Sequence, residues 1–122
     1  MKTRQIERAA WDHYFSRLSN VLHEQPPKVT VELASETHGD AILAEHAPLH
    51  GILVDPKGSE AGSVGIEVGD NVSGAREVHT VQQVCVIWVA EDDAGNPVAF
   101  DIEGQDPGTR EAVKAIIRFE ER

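Results

Sequence analysis

The side chains able to do chemistry in this chain are scattered rather than clustered. Six histidines and a single cysteine stand among twenty-one carboxylates. His46 and His50 are four apart, a spacing that would gather two metal ligands on one helix face. Here Pro48 lies between them in a strand-like run, and four residues of strand span about 13 Å, too far to share an ion. His38 and Asp40 fall in a turn and could add ligands, with His79 joining only under a favourable strand order. A metal centre needs three or four convergent ligands, and no tight motif such as His-Glu-x-x-His occurs, so none is expected. Glu91-Asp92-Asp93 with Gly95 and Asn96 lacks the ligand spacing and flanking helices of a calcium loop, and reads as a solvated turn that blocks edge pairing.

The nucleophiles are equally unsupported. Cys85 sits among Val and Ile, where a buried small hydrophobe is expected rather than an activated thiolate. Ser35, Ser63 and Ser73 lie in no nucleophile elbow. The glycines between Gly62 and Gly69 do not lead into a helix, so they form no dinucleotide loop. Asp101 and Glu103 stand two apart on the polar face of a strand, about 6–7 Å apart at the backbone. That spacing suits paired acid/base work, yet it is also what a solvent-facing strand looks like. The balance is against an enzyme: no catalytic residue is assigned and no cofactor is expected.

A chain of 122 residues is long enough for one domain, residues 1–122, with its own core. One cysteine excludes a disulfide framework and any multi-cysteine zinc site. No apolar run approaches membrane-spanning length, and the start lacks the apolar core of a signal peptide, so the cytoplasm is the expected location. The formal net charge of −10 is uneven: residues 1–30 hold five basic and three acidic residues, the remainder six and eighteen. An acidic body repels phosphates, which argues against nucleic acid and anionic membrane as partners.

Several elements must position these side chains. Trp11, Phe15, Leu18 and Leu22 recur at helical spacing, with Tyr14 and Val21 widening the stripe, and predict an amphipathic helix over about 7–23. Pro26-Pro27 ends it. The period then changes to two, which predicts strands over Val29–Leu33, Ala41–Glu45, Leu49–Val54 and Ser63–Val68, with turns at Thr37–Asp40 and Asp55–Gly58. A long strand from about Glu77 to Ala90, bent near Gln82-Gln83, is the most apolar stretch. Val84, Val86 and Trp88 are expected to bury on one face of it and Cys85, Ile87 and Val89 on the other. Val98, Phe100 and Ile102 form a further strand. Residues 109–120 fit a helix or a strand, with the strand favoured by the hairpin-like Gly104–Gly108 before it. The fold expected is α+β and mainly β, an N-terminal helix packed on an antiparallel meander or partly open barrel of about six to seven strands.

The chain also resembles a family of small bacterial proteins known only as a domain of unknown function. The resemblance runs through Lys2-Thr3-Arg4 and Ile6, Trp11 and Phe15, His23-Glu24, Leu49-His50-Gly51-Ile52, Asp55, Lys57-Gly58, Ile66 and Gly69. It continues through His79-Thr80-Val81, Ile102-Glu103 and Arg118-Phe119. Pro26-Pro27 and a longer Asp106–Ala112 segment depart from the pattern. The resemblance implies an N-terminal helix followed by an antiparallel sheet, and it brings no activity, cofactor or catalytic residue.

Two readings of function follow. One is a non-catalytic protein-interaction or scaffold module, homodimeric or bound to another protein, because one helix cannot cover both apolar faces. The alternative is a small-molecule-binding protein or an unrecognised enzyme with a pocket between helix and sheet, for which Tyr14, His23, His79 and Trp88 are the candidate ligand-binding residues.

Overall fold

The alternation that begins after Pro27 becomes two antiparallel meanders joined side by side. The structure, a computed structural model, describes residues 2–37, 39–55, 62–70 and 73–120, the His23 side chain excepted. Its elements are β1 (Lys2–Ile6), a 3₁₀ turn (Arg8–Ala10), α1 (Trp11–Glu24), β2 (Lys28–Ser35), β3 (Gly39–Asp55), β4 (Ser63–Gly69), β5 (Arg76–Val81), β6 (Val86–Glu91), β7 (Pro97–Gln105) and β8 (Ala112–Phe119). The strand order is β1-β6-β7-β8-β2-β3-β4-β5, and every pair is antiparallel. The meanders β2–β5 and β6–β8 meet where β8 pairs with β2. Residues 56–58 of the expected turn at Asp55–Gly58, and His38, lie outside the described residues.

An α+β, mainly β fold with an N-terminal helix is what the sequence led one to expect, but the strands among the described residues number eight, not six or seven. Three differences have physical causes. Lys2–Ile6 pairs with β6 although only Ile6 is buried, so no apolar alternation announces it. The expected strands at 41–45 and 49–54 are one, β3, which leaves β2 at Pro48 and takes up β4 at Leu49. The register of β3 shifts twice against β2 and once against β4 around that handover, and His46 has φ +51°. Bulges bend a strand, and proline is tolerated at such a place because the amide it lacks is not required by a regular ladder.

The third difference concerns the apolar stretch Val81–Ala90. It is broken: Gln83 adopts φ +48°, and the chain passes from β5, at one end of the sheet, to β6, near the other. The two expected triplets are therefore not faces of one strand. Val84, Ile87 and Val89 are buried, Val86 and Trp88 are half-buried, and Cys85 is exposed rather than buried.

The core lies on one face of the curled sheet. Val89, Phe100, Ile117 and Val31 stand in one row across β6, β7, β8 and β2, all essentially inaccessible. The α1 helix covers one end of this face. Phe15 packs on Phe100 at 5.4 Å, and Tyr14 stands edge-on to both. Trp11 Nε1–H donates to the Ile6 carbonyl at 2.8 Å, tying the helix start to β1. Full burial of a side chain such as Phe15 contributes about 1.5–3 kcal/mol. The opposite face has no second layer among the described residues. There Val86, Trp88 and Ile116 stand among Glu32, Asp101, Glu103, Lys114 and Arg118.

Candidate functional site at the open edge of the sheet

The run Ser63–Gly69 turns Val64, Ile66 and Val68 into the core and Gly65 and Glu67 outward, as period two requires. β5 repeats the alternation at the edge: Glu77, His79 and Val81 share the inner face, and Arg76, Val78 and Thr80 the outer. Among the described residues β5 pairs only with β4, Val78 opposite Glu67 and His79 opposite Ile66. Its second edge of amides and carbonyls has no strand partner among the described residues. On the outer side Leu53 and Val78 are 50% and 53% exposed. Gly65 lies between them: a Cβ there would stand 3.0 Å from Val78 Cγ1 and 3.8 Å from Leu53 Cβ. Arg76 and Glu67 close the far end of this patch with an ion pair at 2.9 Å.

Behind β5 the sheet curls back toward β2 and β8 and leaves a half-open cavity of about 280 Å³. It is lined by Leu33, Leu43, Ile66, Val81 and Ala115 and by the β5 run from Val78 to Thr80. One corner is pinned. Gln105 N–H donates to the Gln82 carbonyl at 3.0 Å, and Cys85 N–H to the Glu103 carbonyl at 2.9 Å. Gly104 makes this approach possible, since a Cβ there would collide with the Gln82 carbonyl and stand 2.8 Å from Val81 Cγ1. His79 Nε2 is buried with no hydrogen-bond partner among the described residues. Its nearest anion is the Glu77 carboxylate at 3.5 Å.

The four residues singled out from sequence are not brought together. His79 lines the cavity. Tyr14 is on the helix, under the Arg4 guanidinium at 5.7 Å, and burial, then the Glu91 charge, push its hydroxyl pKa up. Trp88 is on the outer face, opposite Gln5 and Asp101. The His23 side chain lies outside the described residues. The cavity is lined by strands alone, so it is not the expected pocket between helix and sheet. Leu33, Leu43 and Ala115 were not foreseen as its walls, because they converge only through the curl of the sheet. The one local signal was the run Arg76-Glu77-Val78-His79, whose polar residues mark a strand unlike its apolar neighbours.

The other candidate groups have local partners. Asp101 and Glu103 share Lys114, whose Nζ is 3.5 Å and 3.9 Å from them. Burial, then the Asp101 charge, raises the Glu103 pKa against the pull of Lys114. His46 Nδ1 lies 2.7 Å from Glu120, and Cys85 Sγ–H donates to the Glu103 carbonyl at 3.4 Å. No three His, Cys, Asp or Glu side chains converge as a metal site among the described residues. No described helix is long and apolar enough to cross a membrane.

A helix laid on an open, eight-stranded antiparallel sheet with one unguarded edge is thus the class to which this protein conforms. The chain belongs to DUF5335, a family of unknown function, which matches residues 2–122. Among solved structures it is similar to the crystal structure of the Bacillus subtilis YojF protein. The identity is 12% and the TM-score 0.50, over 100% of this chain and 98% of that one, a likeness of fold alone. No curated protein matches it.

Proposed function

We propose that this protein is a non-catalytic interaction module that pairs with a second copy of itself along β5. The observation that carries the reading is the self-complementarity of that edge. Antiparallel pairing of two β5 strands about Val78 sets Val78 of one copy against Val78 of the other. It also sets Glu77 against His79 in both directions on the inner face. Complementary polar and apolar cross-strand pairs each contribute roughly 0.2–1 kcal/mol, and like charges directly opposite oppose pairing. The exposed Leu53 widens the apolar part of the contact. The other free edge, β1, is guarded: self-pairing about Thr3 would set Lys2 against Arg4, and positive charge is a common device for blocking an edge. The single cysteine and the acidic body favour a cytoplasmic setting.

Sedimentation equilibrium tests this. The wild-type chain is expected at twice its 13.3 kDa mass at micromolar concentration. Val78→Lys, which sets two lysines face to face, is expected at the single mass. Because each copy carries a net charge of −10, association should strengthen with added salt. A wild-type protein that stays at the single mass at all concentrations and salt levels contradicts the reading.

A further inference from the structure

We propose that the cavity behind β5 is a binding site for a small apolar alcohol or amine, its hydrophobic body held by the walls and its polar head by His79. The walls supply the first half of the argument. Leu33 and Leu43 from β2 and β3, Ile66 and Val81 from β4 and β5, and Ala115 from β8 line this half-open space of about 280 Å³ where the sheet curls. An apolar cavity of about 150 Å³ accommodates a benzene ring, so this one has room for a bicyclic ring or a ring with a short chain. Strand side chains this apolar on both sides of a gap would close on each other unless something held them apart. Here the pinned corner at Gly104 holds them: Gln82 and Gln105 are hydrogen-bonded, which fixes how far β5 can approach β8.

His79 supplies the second half. Its Nε2 is buried and has no hydrogen-bond partner among the described residues, and such an atom carries a desolvation penalty until something pairs with it. Glu77 Oε2 at 3.5 Å is the nearest anion but makes no hydrogen bond to it. A hydroxyl both donates and accepts, so it satisfies either tautomer of the ring. The sign of the head group follows from the surroundings. Glu77 is the charged residue beside His79 on the inner face, and the whole chain is acidic, so a carboxylate is repelled while a neutral or cationic head is not. The inference goes beyond self-pairing and does not rest on it, because every wall of the cavity comes from one copy of the chain.

Three probes with one ring system and different heads test it by two-dimensional amide NMR on the full chain: indole-3-ethanol, tryptamine and indole-3-acetate. The first two are expected to give saturable shifts at Leu33, Leu43, His79, Thr80 and Ala115, and the third to bind at least tenfold more weakly. His79→Ala is expected to weaken indole-3-ethanol at least tenfold. Ala115→Leu is expected to abolish binding by filling the space, and Leu33→Trp does so from a half-buried position should the first variant not fold. The same titration in Leu53→Lys, which alters the exposed outer patch and no wall of the cavity, separates this site from the dimer, and binding there should be unchanged. No saturable shift with any of the three probes overturns the proposal. So does equal binding of the acetate, or wild-type affinity in His79→Ala.

Discussion

Gly104→Ala should damage this fold out of proportion to one methyl group. Gly104 is buried on β7, and an added Cβ would collide with the Gln82 carbonyl oxygen, stand 2.8 Å from Val81 Cγ1 and 3.4 Å from Gln82 C. Two of those atoms are backbone, which cannot swing aside as a side-chain tip does. β5 must withdraw, which breaks the Gln105–Gln82 hydrogen bond, and the strain that a partial withdrawal does not relieve is held in place. Overpacking costs about 1–3 kcal/mol and the lost hydrogen bond about 0.5–1.5 kcal/mol. Stiffening of the unfolded chain offsets about 0.4–1 kcal/mol, which leaves a net loss of roughly 2 kcal/mol. At this chain length that is a fall in Tm of roughly 6–10 °C. Thermal unfolding followed by circular dichroism reads the fall, and amide hydrogen exchange should be faster at Gln105 than at Phe100, whose surroundings are unchanged. A Tm equal to or above wild type would refute the claim that this corner holds the sheet's curl.

Two other changes probe the core and the outer face. Phe15→Ala empties the contact between α1 and Phe100 and should cost about 3–5 kcal/mol, measured by urea unfolding. Glu103 has a raised pKa in the folded protein, from burial and then Asp101. The folded state therefore holds that proton to higher pH than the unfolded chain, so the stability linked to it is full at low pH and lost as pH rises through the folded pKa. Glu103→Gln should thus equal or exceed wild type at neutral pH by less than about 1 kcal/mol, the site being partly solvated. The gap should close in acid, as a pH series of urea midpoints would show.

The helix was legible because Trp11, Phe15 and Leu22 face one side at helical spacing, and all three are buried. The alternating strands after Pro27 were legible for the matching reason. What was hidden is what depends on distant partners. β1 is polar along four of its five residues and becomes a strand only because β6 offers it a ladder. Pro48 looked like a boundary because proline breaks ladders. It sits instead where β3 exchanges one neighbour for another, which no local pattern reveals. The bend at Gln82-Gln83 was visible, but not that it moves the chain from one edge of the sheet to the other side, which is why Cys85 is exposed. Of the site, His79 was singled out from sequence, yet its walls at Leu33, Leu43 and Ala115 exist only through the curl. The self-complementary order of Glu77, Val78 and His79 gained meaning once β5 was found at the edge.

The central claim is that two copies meet at β5 in one register, and a cross-link at the symmetry centre tests it most directly. In a Cys85→Ser background, Val78→Cys should place two thiols directly opposite, with Cα atoms about 4.5–5.5 Å apart, inside the range a disulfide needs. Thr3→Cys, at the centre of the guarded β1 edge, is the control. Under mild oxidation the account predicts a covalent dimer from Val78→Cys and a single chain from Thr3→Cys. A Val78→Cys protein that stays a single chain, or cross-links no faster than Thr3→Cys, would contradict it.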